Sequence, residues 1–322
     1  MPKTISRHGL TRLFASLLGI LFVATAALAQ QKPKLRLLRI ALPAHSISAT
    51  AVYVARTLGI FERYGFDPQI LVLEPRAALA AMLTGDLDFY AAVGTVGRAA
   101  LGGVPVRVVL VALNRSDLVL LASREITSVE QLRGKALGGY TAQASVNVIL
   151  TELLRLKGLR PDEYTILNVG TARAASLMSG NVPAAVVNGV EAARLVGKGF
   201  HVLARAAEFD LPSGGLGTSM AGLKSKRDVL RNAVRATLEG IRIAATQKDK
   251  VVPIYMKQFA LSEDEARFVY DNVEGAWALD GRPTANAQKL DGELTRRNMG
   301  LKEPAKTEQI YDFSLLDELK QK

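Results

Sequence analysis

The chain has 322 residues, with 41 Lys and Arg against 30 Asp and Glu for a formal charge of +11, 49% hydrophobic residues and no cysteine. That length is comfortable for two hydrophobic cores, the composition is that of an ordinary globular protein, and no disulfide can support the fold. The basic excess does not point to nucleic acid, because Lys and Arg are scattered and only eight Tyr and one Trp are present for stacking; it reads as a solvated surface biased toward anionic ligands.

In chain order, the first predicted element is a leader. Lys3, Arg7 and Arg12 precede an uncharged run over residues 13–29, about 17 residues against the roughly 20 that a membrane span needs. Ala27 and Ala29 are the small residues of a cleavage site before Gln30, so export to the periplasm is expected. Removal of the leader lowers the formal charge to +8 and leaves about 290 residues.

"LRLLRIAL" (35–42) is a β-rich run. The following "SATAVYVARTLGIFERYG" places Val52, Ala55, Leu58 and Gly59 at helical spacing and is expected to close near Gly65. "PQILVLE" is a second strand, "RAALAAMLTG" a short helix stopped by Gly85, and "DFYAAVG" a third strand ending at Gly94. The chain then repeats itself. At a fixed offset of 95, Ala77 falls on Ala172, Ala80 on Ala175, Gly85 on Gly180 and Gly94 on Gly189. Upstream, Ala41 falls on Ala136 and Leu58 on Leu153; downstream, Gly102 falls on Gly197. Residues 40–109 and 135–204 therefore read as two copies of a strand–helix–strand–helix–strand unit. Such alternation implies parallel βαβ units, so each copy predicts an α/β lobe with a mostly parallel sheet flanked by helices.

Between the copies, two apolar strands flank Asn114-Arg115-Ser116, a first crossing between lobes. A second lies in "EFDLPSGGLGTSMAG" (208–222), whose Pro and glycines are expected to interrupt regular structure, with "SGGLG" a mobile turn. The expected organisation is a leader at 1–29, a first lobe at 30–117 that resumes at 213–322, and a second lobe at 118–212. The last part is helical: Ser225 with Asp228, and Ser262 with Glu265, have capping-box spacing, and Val229, Leu230, Ala233, Val234, Thr237 and Ile241 form one apolar stripe. These helices are expected to pack back on the first lobe, the two crossings acting as a hinge.

Three phrases carry a family resemblance. "YVARTLGIFERYGFDPQI" resembles the opening of extracytoplasmic solute-binding proteins of the sulfonate, nitrate and taurine group, also called NMT1 or thiamine-precursor-binding-like. "MLTGDLDFYAAVG" is similar to that group's next phrase, and "EITSVEQLRGKALGGYTAQAS" to the start of its second lobe. The resemblance covers nearly all of the chain after the leader. It implies a type 2 periplasmic-binding-protein fold whose lobes close on one small molecule and deliver it to an ABC permease.

In open α/β sheets ligands bind beyond the carboxyl ends of strands, at loops that lead into helix N-termini. The first strand is followed by His45, Ser46 and Ser48, and the repeat supplies Tyr140, Thr141, Gln143 and Ser145. The third strands end at Gly94-Thr95 and Asn188-Gly189, with Glu191 just beyond, and the first crossing adds Asn114 and Arg115. Hydroxyls, amides and a guanidinium suit a small anion, although a Ser or Thr here serves equally as a helix cap. Glu191 would oppose a purely anionic ligand unless it points away, pairs with Arg or meets an amine, which leaves oxyanion, carboxylate and zwitterion open. Arg115 serves equally as a surface hinge residue; as a ligand contact, its change to Ala should weaken an anionic ligand more than tenfold, about 1.4 kcal/mol, whereas an unchanged affinity would place it on the hinge surface.

Enzyme motifs do not complete themselves. "GTSMA" (217–221) approaches a nucleophile elbow, but no His follows His201 to finish a triad in that order. His45 and His201 are isolated, which argues against zinc, and "SGGLG" lacks the Lys-Ser/Thr ending of a P-loop. The reading adopted is a monomeric binding protein with no cofactor and no nucleic-acid partner. The alternatives are an enzyme on the same fold acting on a pyrimidine or menaquinone precursor, disfavoured by the leader and the absent cysteine, and a binding protein that reports to a sensor.

Overall fold

A computed structural model describes residues 35–140, 145–303 and 305–321, without the side chains of Ser145 and Asn298. The expected leader, Thr141 and Gln143 lie outside the described residues, as does the side chain of Ser145. Among the described residues no helix is long and apolar enough to cross a membrane.

Among the described residues ten strands form two separate five-stranded sheets: β1 (Arg36–Leu42), β2 (Phe66–Val72), β3 (Phe89–Tyr90), β4 (Val106–Leu113), β5 (Val119–Ala122), β6 (Ala136–Gly139), β7 (Thr165–Asn168), β8 (Ala184–Val187), β9 (His201–Arg205) and β10 (Ser213–Ser219). The orders are β2-β1-β3-β10-β4 and β7-β6-β8-β5-β9. Each strand of the first copy thus has its counterpart at the same place in the second. Both sheets take their remaining strand from a crossing: β5 enters the second sheet antiparallel to β8 and β9, and β10 re-enters the first antiparallel to β3 and β4. The other registered pairs, β1 with β3 and β6 with β7 and β8, are parallel.

Register corrects the ungapped repeat at its start. Ala41 pairs with Tyr90 whereas Gly138 pairs with Ala185, so the structural counterpart of Ala41 is Gly138, two residues beyond the Ala136 that a constant offset gives. The offset does hold from Gly85 and Gly180 onward. Both end a helix with positive φ, 85° and 77°, a backbone conformation that glycine adopts without steric cost. Each unit also runs on through a further helix, Val93–Leu101 or Gly189–Val196, before its fourth strand. The first long helix stops at Thr57, and Gly59 in the left-handed conformation turns the chain into a short helix, Ile60–Arg63.

The glycine-rich "SGGLG" opens strand β10, which is buried between β3 and β4 in the first sheet rather than forming a mobile turn. Its glycines permit close approach: a Cβ on Gly214 would lie 2.2 Å from the Ser48 carbonyl oxygen, one on Gly215 2.1 Å from that of Leu110, and one on Gly217 2.6 Å from Val96. The two proposed capping boxes part company. Ser262 accepts from the Glu265 N–H at 3.3 Å while Glu265 accepts from the Ser262 N–H at 2.8 Å. Ser225 instead donates to the Ala221 carbonyl, and the helix Arg227–Thr246 begins without a side-chain cap.

That helix buries the predicted stripe against Thr50–Thr57, with Gly240 under the Ala51 carbonyl, where a Cβ would come within 2.3 Å. The C-terminal part reaches the second lobe as well. Helix Glu263–Asp271 packs on Gly189–Val196 and Arg194 donates to the Phe259 carbonyl at 2.6 Å, while Asn272 donates to the carbonyl of Asp117, at the first crossing, at 3.0 Å. Helix Ala285–Met299 sets Leu290 on the second lobe's core and Arg297 3.5 Å from Glu152.

Candidate functional site

The cavity between the lobes is about 350 Å³ and is bounded by both lobes, the crossings and helix Ala285–Met299. The first lobe contributes the loop after β1, with Ser46 and Ser48, and the start of helix Val93–Leu101, with Gly94, Thr95 and Arg98. The second lobe contributes Val146 and Ile149 of helix Ser145–Leu156, Arg173 and Asn188. The crossings supply Ser116, Asp117, Leu118, Leu211 and Pro212, and helix Ala285–Met299 supplies Asp291, Leu294 and Thr295. The site lies at the carboxyl ends of β1, β3 and β8, as strand direction requires.

Local sequence explains the polar features. Helix Val93–Leu101 follows Ala92, which offers no side-chain cap, and its first turn has no acidic residue. Its first N–H groups therefore face the cavity with a partial positive charge. The hydroxyls of Ser46 and Ser48 are hydrogen-bonded to each other at 2.7 Å beside it. The corresponding N-terminus in the second lobe is already satisfied: the Gly189 N–H donates to Asp117 Oδ2 at 3.1 Å, and Asn188 and Glu191 complete a reciprocal cap at 2.9 and 3.1 Å. Of these two helix N-termini, only that of the first lobe lacks a side-chain cap.

Arg173 is fixed by its own backbone contacts, Nε donating to the Val186 carbonyl at 2.8 Å and Nη1 to that of Gly170 at 2.6 Å, with its guanidinium over the Tyr140 ring at 5.7 Å. Burial lowers the pKa values of Arg173 and Arg98. Asp117, 5% exposed, has its pKa raised by burial against the lowering effect of the Gly189 N–H. Burial likewise raises Asp291, whose Oδ2 accepts from the Tyr311 hydroxyl at 3.0 Å, a hydrogen bond that opposes the rise. Among the described residues the lining therefore carries two cationic and two acidic groups in a mostly apolar wall. Among the described residues no cluster of His, Cys, Asp and Glu could hold a metal.

Of the residues expected from sequence, Ser46, Ser48, Gly94, Thr95 and Asn188 line this cavity. His45 is outside it, with Nδ1 2.9 Å from the Tyr53 hydroxyl. Asn114 accepts from the Thr284 N–H at 2.8 Å, and Arg115 pairs with Asp210 at 3.0 Å with its side chain 42% exposed. Both ends of the Tyr140 peptide are held by Asn147, at 2.7 and 2.8 Å. Gly189 and Glu191 serve the helix cap, so the Glu191 carboxylate turns back on its own backbone rather than lining the cavity. Sequence reading missed Arg98, Asp117, Arg173 and Asp291. Arg98 stands one helical turn after Gly94, a spacing that becomes visible only once a helix is read from Val93.

Two mixed sheets of identical order, flanked by helices, joined by two crossings and enclosing a cavity at their strand ends, make the two-lobed α/β fold seen in periplasmic binding proteins. The chain belongs to the family described as NMT1/THI5 like, which matches residues 46–251. Among curated proteins it is similar to the riboflavin-binding protein RibY of Chloroflexus aurantiacus, 26% identical over 221 residues. That match covers 67% of this chain and 62% of RibY, less than two thirds of the relative's length. The fold is shared with the periplasmic aliphatic sulphonate binding protein SsuA of Escherichia coli, at TM-score 0.71 and 16% identity over 88% of this chain and 99% of that one. It is shared too with the desulfurization enzyme DSZB, at TM-score 0.65 and 14% identity over 89% and 99%.

Proposed function

We propose that this chain is a monomeric periplasmic solute-binding protein that captures one small organic molecule between its lobes and delivers it to an ABC permease. The lobes divide near 117/118 and 212/213. The observation that carries this reading is the cavity itself, about 350 Å³, walled by both lobes and both crossings. Its volume lies within the range of small-molecule sites, roughly 300–1,000 Å³. An ion as small as nitrate would leave most of this apolar space unfilled, which favours an organic ligand with a polar end, such as a sulfonate, a carboxylate, a taurine-like zwitterion or a flavin of the kind RibY is named for. Lobes closing on such a ligand stabilise the closed form by mass action.

A second reading, an enzyme, is favoured by the fold shared with DSZB. A cysteine-to-serine variant of that enzyme has been solved with biphenyl-2-sulfinic acid. This chain has no cysteine to offer as a nucleophile, and the binding reading is preferred.

The test is a thermal-shift and calorimetric screen of the purified protein with alkyl and aryl sulfonates, nitrate, carboxylates, taurine, pyrimidines and riboflavin. A ligand present at a hundred times its Kd should add about 2.7 kcal/mol of stability and be recovered unchanged. Failure of every compound to stabilise the protein would overturn the binding reading. Conversion of the bound compound would favour the enzyme.

A further inference from the structure

Arg98 and Asp291 line the same cavity from different elements, helix Val93–Leu101 of the first lobe and helix Ala285–Met299 of the C-terminal return. They influence each other electrostatically yet form no ion pair, and among the described residues the Arg98 guanidinium has no hydrogen-bond partner. Asp291 is fixed on one side only, by the Tyr311 hydroxyl on Oδ2 at 3.0 Å, which leaves Oδ1 without a partner among the described residues. Tyr311 is itself buried, its own backbone held by a bridge to Val108 of β4, so the carboxyl is anchored to the first sheet and not free to collapse onto Arg98. A forked donor and a carboxyl acceptor thus line one cavity without pairing, each with unused capacity.

An unmet donor and acceptor side by side define their complement. A sulfonate or nitrate presents acceptors alone; it satisfies the guanidinium but offers no donor to the free oxygen of Asp291, and an ionised Asp291 adds like-charge repulsion. An amide, lactam or ureide edge presents a carbonyl to Arg98 and an N–H to Asp291, satisfying both. Sites built to hydrogen-bond a substrate N–H reject analogues that lack it, because the site's own polar group is left unpaired. Asp291 also lies outside the stretch that matches the family, residues 46–251. The C-terminal helix therefore supplies a group that this match does not account for.

We propose that Asp291, together with Arg98, is a specificity-determining pair that selects ligands whose polar end carries an N–H donor beside a carbonyl acceptor, over ligands whose polar end carries acceptors only. The proposal rests on the solute-binding reading. Its test compares lactam probes of increasing size (uracil, oxindole, lumichrome) with sulfonates of similar size (methanesulfonate, benzenesulfonate, naphthalenesulfonate) by calorimetry on wild type, Asp291→Asn and Arg98→Met, with circular dichroism confirming the fold of each. At least one lactam is expected to bind wild type more tightly than every sulfonate. Asp291→Asn should weaken that lactam tenfold or more while tightening the sulfonates, and Arg98→Met should weaken both classes. If Asp291→Asn does not fold, the wild-type preference and the Arg98→Met result still decide. Sulfonates that bind wild type as well as or better than the lactams, or a lactam affinity indifferent to Asp291→Asn, would refute this pair and leave the solute-binding reading standing. Binding of no probe in either class would count against both.

Discussion

Gly214 carries two burdens that a sequence cannot display. Its φ is +63°, and an added Cβ would sit 2.2 Å from the Ser48 carbonyl oxygen, in the loop that places Ser46 and Ser48 at the cavity. Gly275 carries only one: φ is +70° with nothing within 4 Å of an added Cβ. Alanine at a positive φ costs on the order of 1 kcal/mol through backbone strain alone. Gly275→Ala should therefore lose about that much in urea unfolding. Gly214→Ala should lose clearly more, and should weaken any ligand by displacing the serine loop. Equal losses would mean that β10 and the loop adjust freely. The same contrast explains why "SGGLG" reads as a turn. Glycine's association with turns is a local property, whereas here the constraint is the backbone of Ser48, distant in sequence by more than 160 residues.

At the scale of elements, spacing alone separates helix starts poorly. Ser225-x-x-Asp228 and Ser262-x-x-Glu265 look alike, yet only the second closes into a reciprocal cap, since the preceding helix Met220–Ser225 already claims Ser225 for the Ala221 carbonyl. Removing a capping hydroxyl costs about 1 kcal/mol. Ser262→Ala should lose that amount, whereas Ser225→Ala, at an exposed position without a cap, should stay within about 0.5 kcal/mol. Chemical denaturation of the two variants distinguishes them, and an equal loss would place a cap at both. The elements most legible from sequence were those with strong periodicity: the stripe from Leu230 to Ile241 is buried as expected. The helices after the third strands were missed because Val93-Gly94-Thr95-Val96-Gly97 combines glycine with β-branched residues, a composition that local propensity assigns to strand or turn. That omission hid Arg98. Asp291 was hidden differently, because its helix lies outside the repeat whose strand ends mark the ligand loops.

For the molecule as a whole, the duplication was readable and the exchange of strands was not. An offset of 95 marks two units, but it carries no sign that each sheet is completed by the strand that follows a crossing. Those crossings are joined to each other by Arg115 and Asp210, 3.0 Å apart, with the arginine side chain 42% exposed and the aspartate 24%. This arrangement revises the effect first expected of Arg115. A guanidinium buried against an anionic ligand would be worth tenfold or more in affinity, whereas an ion pair this open to solvent contributes about 0–1 kcal/mol and is weakened further by salt. Arg115→Ala should thus change the Kd of a bound ligand less than about fivefold and stability by less than about 1 kcal/mol, with both differences shrinking at high ionic strength. Measured by calorimetry and urea unfolding at low and high salt, that pattern fits a tie between crossings. A tenfold loss of affinity that persists in salt would instead mean that the hinge turns Arg115 away from Asp210 and into the cavity when ligand is bound.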